Sequence, residues 1–122
     1  MTATVPQDDI ARILASLKLN GVKNVALTTM EGRSLGSTVT DASARFKLGA
    51  LSAASIAIAN KTSTELSLGD LDQIQIVSNN GSLLLSAVGN KALLSVVTER
   101  GVDSMLIARE MKRVAVQLLT MV

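Results

Sequence analysis

The chain has no cysteine, no histidine, one proline and a single aromatic residue, Phe46, in 122 residues. Without cysteine it can form neither disulfides nor thiolate metal sites, and a reducing compartment is permitted. Without histidine, the Ser-His-Asp and Cys-His catalytic arrangements and imidazole metal sites are excluded by composition. With one ring, no aromatic platform exists on which nucleic-acid bases could stack. Charge is also scarce. Charged residues make up 18% of the chain, against about 25% for ordinary soluble domains, so less of the surface is defended against association. The formal net charge is +2, but the basic residues are scattered apart from Lys112 and Arg113, which is weak support for a nucleic-acid or anionic-membrane partner. No basic segment followed by an apolar run opens the chain, and no uninterrupted apolar stretch of about 20 residues follows. A cytoplasmic, soluble protein is expected.

Apolar residues account for 48% of the sequence, so Leu, Ile, Val, Ala and Met must fill the core of one domain. The segment Thr40 to Asn60 carries most of the information. It reads as a helix that is apolar or weakly polar on nearly every side. Ala44, Leu48, Leu51, Ser55 and Ile58 form a stripe at helical spacing suited to covering a sheet. Phe46, Gly49, Ala50, Ala53, Ile56 and Ala57 are then left on roughly the opposite side, where small residues permit close approach of another backbone. Either the helix is sandwiched inside its own domain, or a second copy covers the remaining stripe through a two-fold contact. So short a chain has little left to cover both sides, which favours the second copy.

MTATVP reads as a loose arm, and residues 7–122 as a single domain. Gln7 to Leu19 carries Ile10, Ile13, Leu14 and Leu17 at helical spacing, with Asp8 and Asp9 at its start and Asn20-Gly21 as its stop. Val22 to Met30, the Glu31-Gly32-Arg33 break and Ser34 to Val39 form a hairpin signature. Thr40 or Asp41 caps the long helix, which fades through Lys61 to Ser67 into the Leu68-Gly69-Asp70 turn. Three short strands follow, Leu71 to Ser78, Ser82 to Val88 and Ala92 to Thr98, joined so tightly that an antiparallel meander is expected. In the first, Gln73 and Gln75 alternate with Ile74 and Ile76, which places it near an edge. The other two are apolar on both faces and look central. The last helix runs from Asp103 to about Leu119, burying Ile107, Met111, Val114, Ala115 and Leu118. No internal repeat or linker interrupts this order.

Helix, hairpin, long small-residue helix, meander and closing basic helix together resemble the roadblock/dynein light chain family over nearly the whole length. The residues that carry the resemblance are the EGR hairpin, the alanine-serine helix ending in Leu66-Ser67-Leu68-Gly69-Asp70-Leu71, the NNG turn inside IQIVSNNGSLLLSAVGNKALLSVVT, and the helix after Arg100-Gly101. The resemblance implies an α+β fold of the profilin/longin type, α-β-β-α-β-β-β-α. Its five-stranded antiparallel sheet has the order 2-1-5-4-3, with the long helix on one face and the terminal helices on the other. It implies further that two long helices pack together and two third strands pair across a two-fold axis. The expected dimer interface is therefore Phe46, Gly49, Ala50, Ala53, Ile56 and Ala57 with Gln73 and Gln75.

Members of that family serve small Ras-like or Arf-like GTPases as activating partners or scaffolds, and others attach cargo to dynein. The resemblance thus implies a non-catalytic homodimer that binds a Ras-like GTPase and alters its activity or location, with no cofactor. The alternatives are an adaptor subunit of a larger hetero-assembly, of dynein or lysosomal-scaffold type and joined to other roadblock-type subunits, and a domain that binds a small-molecule effector. The chain is not itself a GTPase, because Gly89-Asn90-Lys91 lacks the spacing and the following hydroxyl of a phosphate-binding loop. Asp8 with Asp9, and Asp70 with Asp72, sit at a helix start and a turn, where capping or solvated carboxylates are the ordinary explanation. Arg45 and Lys47 are candidate partner contacts. Arg45 has the chemistry of an arginine finger, although a surface residue or an ion pair with Asp41 is the simpler expectation. Lys112 and Arg113 read as the wet face of the last helix.

Overall fold

The computed structural model describes the backbone of residues 6–122 and the side chains of residues 8–122. Its elements in chain order are α1 (Pro6–Ala15), β1 (Val22–Thr29), β2 (Ser34–Ser37), α2 (Ala42–Glu65), β3 (Ile74–Ser78), β4 (Gly81–Val88), β5 (Ala92–Thr98) and α3 (Ser104–Leu119). Residues 1–5 of the expected arm lie outside the described residues, and Pro6 opens α1, a position where its missing N–H costs nothing.

All strand pairs are antiparallel, and the sheet order is β2-β1-β5-β4-β3. Because strand side chains alternate between faces, the register sorts the sheet into two kinds of row. Val25, Val96 and Leu84 share a row on the α1/α3 face, and Gln75 ends it at the β3 edge. Ala26, Ser95, Leu85 and Ile74 share a row on the α2 face. The main core lies on the α1/α3 side. Ile10, Leu14 and Leu17 pack there with Ile107, Met111, Val114 and Leu118 against the sheet, and α2 contributes no side chain to that cluster. Each fully buried side chain of this size is worth roughly 1.5–3 kcal/mol, so the hydrophobic stability is concentrated away from α2.

Among the boundaries that differ from the sequence expectation, three change the reading most. α1 ends at Ala15 instead of Leu19. Tighter turns, Leu17 N to Leu14 O at 3.0 Å and Lys18 N to Ala15 O at 3.0 Å, then carry Leu17 fully into the core. β3 begins at Ile74, not Leu71. α2 continues through the polar run to Glu65. Its end is a Schellman arrangement, in which Ser67 N donates to Thr64 O at 3.1 Å and Leu68 N to Ser63 O at 2.8 Å. That geometry needs a left-handed residue, usually glycine, and here Ser67 takes it at φ 57°. The sequence marked the Leu68-Gly69-Asp70 turn that follows, but not the left-handed Ser67 itself.

Candidate functional site

The long helix and the free edge of the sheet carry the candidate residues named from the sequence. α2 leaves the β2 edge and crosses β1 and β5 diagonally. Asp41 is its N-cap, with Oδ2 accepting from Ala44 N at 2.8 Å. That use of the carboxylate leaves Arg45 without the ion pair expected from the sequence. Its Nη1 instead donates to the Val39 carbonyl at 3.1 Å, and the side chain is half-buried at the edge of the sheet. Lys47 is exposed.

Next along the helix comes a backbone crossing. A β-carbon built on Gly49 would fall inside the carbonyl oxygen of Gly32 and 3.4 Å from Thr28 Cγ2, and one built on Gly32 would lie 2.7 Å from Gly49 O. Gly32 holds φ 95°, a conformation that favours glycine. One turn on, Ser95 Oγ donates to Ser52 Oγ at 3.0 Å, both residues being buried. Gly49, Ser52 and Ile56 are the buried residues of this 24-residue helix.

Burial within the chain divides α2 differently from the sequence expectation. Gly49 and Ile56 were placed on the free stripe, yet Gly49 lies against Gly32 of the hairpin and Ile56 is 2% exposed within the chain. Conversely, Leu51 and Ile58 were read as sheet-facing, and they are 57% and 69% exposed. The physical reason is that an apolar-all-round helix has no strong moment to orient it. Its orientation is then chosen by the position allowing closest backbone approach, which is Gly49, and by the hydroxyl that Ser95 requires. Of the remaining interface candidates, Phe46 is 76% exposed, Ala50 and Ala57 are exposed, and Ala53 is half-buried. Phe46 and Ala50 overhang an apolar cleft of about 330 Å³ beside Glu31–Ser34.

β3 closes the sheet on one side, pairing with β4 alone among the described residues. Ile74 and Ile76 lie on its α2 face, and Ile76 is exposed. Gln73 and Gln75 lie toward the opposite face, where Gln75 Nε2 donates to Gln73 Oε1 at 2.9 Å and Gln73 Nε2 to Ser86 Oγ at 3.3 Å. The two glutamines therefore share the edge with α2 but not its face. Leu66 and Leu68, in the α2–β3 connection, are also exposed. Helical periodicity gave no signal for them.

One member of each carboxylate pair is held in a surface ion pair. Asp9 bridges Arg12, and Asp72 bridges Lys112 at 3.0 Å. Among the described residues no group of three or more acidic, histidine or cysteine side chains could hold a metal ion, and no helix is long and apolar enough to cross a membrane. What the surface offers is apolar area on a helix and unpaired backbone on a strand, the chemistry of protein recognition.

A family model of the Roadblock/LC7 domain matches residues 10–98. The chain belongs to the Roadblock/LC7 domain family. It is 30% identical over 107 residues to each of two uncharacterized proteins of Methanocaldococcus jannaschii, a match spanning 87% of this chain and 93% of either relative. Among solved structures it is similar to a Roadblock/LC7 domain from Streptomyces avermitilis, with a TM-score of 0.83 at 16% identity over 88% of this chain and 92% of that one. It is also similar to Gliding protein-mglB from Thermus thermophilus, with a TM-score of 0.84 at 15% identity over 99% and 93%. At that identity the two structures bear on the fold, and they share with this Roadblock/LC7 chain the layered arrangement described above.

Proposed function

We propose that this Roadblock/LC7 chain is a non-catalytic regulator or scaffold that self-associates and presents α2 to a small Ras-like GTPase. The observation that carries the reading is the state of α2. Only Gly49, Ser52 and Ile56 of the helix are buried, while Phe46, Leu51 and Ile58 stand in solvent. Water-facing Ala, Leu, Ile and Phe side chains on one long helix are a standing cost unless another protein removes them from water.

Two copies can share the cost. Pairing of β3 with β3 of a second copy would satisfy an edge that otherwise exposes unpaired N–H and C=O groups. On this reading the self-contact comprises Phe46, Ala50, Ala53, Ala57, Gln73 and Gln75 from the sequence expectation. Leu51 and Ile58 join them, and Gly49 and Ile56 drop out. The GTPase partner follows from what the family resemblance implies, and Arg45, committed to Val39 O, is read as a structural residue and not a finger.

The test is a pull-down of the host's small GTPases in their GDP- and GTP-bound states with the purified chain, alongside its mass by light scattering. Capture of one GTPase with a preference between the nucleotide states, by a chain of twice the monomer mass, supports the proposal. Failure to bind any GTPase in either state overturns the GTPase reading, and a monomeric mass at working concentration overturns self-association.

A further inference from the structure

On the sheet face opposite α2, two cavities between β3 and α3 form a trough whose wall on the β3 side includes Gln73 and Gln75 of the proposed self-contact and whose α3 wall the proposed function does not use. It carries two wet apolar side chains, Val77 at 75% exposed and Met105 at 74% exposed. At either end lies a cavity. One, of about 370 Å³, is lined by Val77, Ser104 and Arg100. The other, of about 300 Å³, is lined by Met105, Arg109 and Lys112. Lys112 is engaged with Asp72 at 3.0 Å. Arg100 and Arg109 make no ion pair among the described residues. Each cavity thus carries one exposed apolar side chain and one arginine without an ion pair, and the acidic residue on the trough wall, Asp72, is already neutralised by Lys112.

We infer that this trough docks an extended segment of a partner protein that carries a large apolar side chain flanked on both sides by carboxylates. Charge complementarity selects the carboxylates. Guanidinium groups bind them through charge-assisted hydrogen bonds, and a lysine-rich or neutral segment would leave Arg100 and Arg109 unanswered. The spacing follows from helix rise. From Ser104, which lines the first cavity, to Lys112 in the second, α3 advances about 12 Å. An extended chain covers about 13 Å between residues i and i+4, with i, i+2 and i+4 on one face. Acidic residues at i and i+4 with Leu, Ile or Phe at i+2 therefore reach both cavities at once, one carboxylate toward the Arg100 cavity and the other toward the Arg109 cavity, with the apolar side chain between them. The surface lies across the sheet from α2, so its occupancy does not require the α2 contact.

The probe is a fluorescent peptide, Gly-Glu-Thr-Leu-Thr-Glu-Gly, titrated into the full chain by polarization, with versions carrying Gln or Lys in place of both Glu residues. Saturable binding of the Glu peptide is expected, weakened at least tenfold in the Gln version, in Arg109→Glu and in Met105→Ser, and weakened by added salt. Arg109→Glu should gain affinity for the Lys peptide, a reversal that general damage to the fold would not produce. Both substituted positions are exposed, and an unchanged circular-dichroism melt confirms that the variants are folded. No saturation at millimolar peptide, or binding of the Glu peptide indifferent to Arg109→Glu and Met105→Ser, overturns the inference. Light scattering on the same samples reads self-association separately, so failure of the dimer and failure of the trough are distinguishable.

Discussion

Replacing Gly49 by alanine sets two physical effects against each other, and the structure decides which wins. In an exposed helix interior the change would stabilise the protein by about 0.8–1 kcal/mol through helix propensity. Here the new methyl group would overlap the Gly32 carbonyl oxygen and come to 3.2 Å from Gly32 C. Gly32 is backbone held at φ 95° inside a tight hairpin, so it cannot yield as the end of a flexible side chain would. Relief requires α2 to lift from the hairpin, and overpacking of this kind costs about 1–3 kcal/mol or somewhat more. Because the clash is with rigid backbone its cost lies in the upper part of that range, so net destabilisation of about 1–2 kcal/mol is expected, or roughly 3–12 °C in Tm for a chain of this size. Urea unfolding followed by circular dichroism would measure it as a lower midpoint at unchanged m value. Repeating the titration over a hundredfold range of protein concentration separates two origins. A clash within one chain lowers stability equally at every concentration, whereas a clash at a subunit contact shows as weaker association. Gly49→Ala as stable as the parent, or one whose only defect is easier dissociation, would refute the placement of Gly49 under the hairpin.

Ser52→Ala or Ser95→Ala alone should each cost about 1–3 kcal/mol, because either leaves a buried hydroxyl unpartnered. The double variant should cost clearly less than the sum, and a double-mutant cycle by urea unfolding with no coupling would count against the 3.0 Å bond. Ser67→Gly should stabilise the chain by about 1 kcal/mol, since glycine takes the left-handed cap without the penalty of a β-carbon; thermal melts will show the sign. Ile58→Lys, at a residue 69% exposed, should leave the unfolding of a dilute monomer within about 0.5 kcal/mol of the parent while weakening self-association. Analytical ultracentrifugation in which Ile58→Lys stays fully dimeric would remove Ile58 from the contact.

The order and kind of the elements were legible in the sequence because they rest on local rules. Strict spacing of Ile107, Met111, Val114 and Leu118 announces α3 and its buried side, and all four are buried. The NNG and Gly89-Asn90 turns force the meander, and the alternation of Gln73 and Gln75 with isoleucine marks the edge strand. Where the local signal was ambiguous, the reading failed. A helix that is apolar on every side carries no information about which side faces inward, so periodicity alone divided α2 along the wrong lines. Arg45 was likewise matched to the acid four residues before it, although the competing demand of the helix N-terminus on Asp41 could be weighed only with both geometries present.

The amino-acid sequence alone determined what kinds of chemistry this chain lacks, the succession of helices and strands, and the family to which it belongs. Those properties are set by composition and by contacts between near neighbours in the chain. The inward side of α2, the pairing of Ser52 with Ser95, and the meeting of Val77, Arg100 and Ser104 around one cavity were decided only by tertiary structure. They join residues far apart along the chain, and the choice among several chemically adequate partners is made by which backbones can approach most closely.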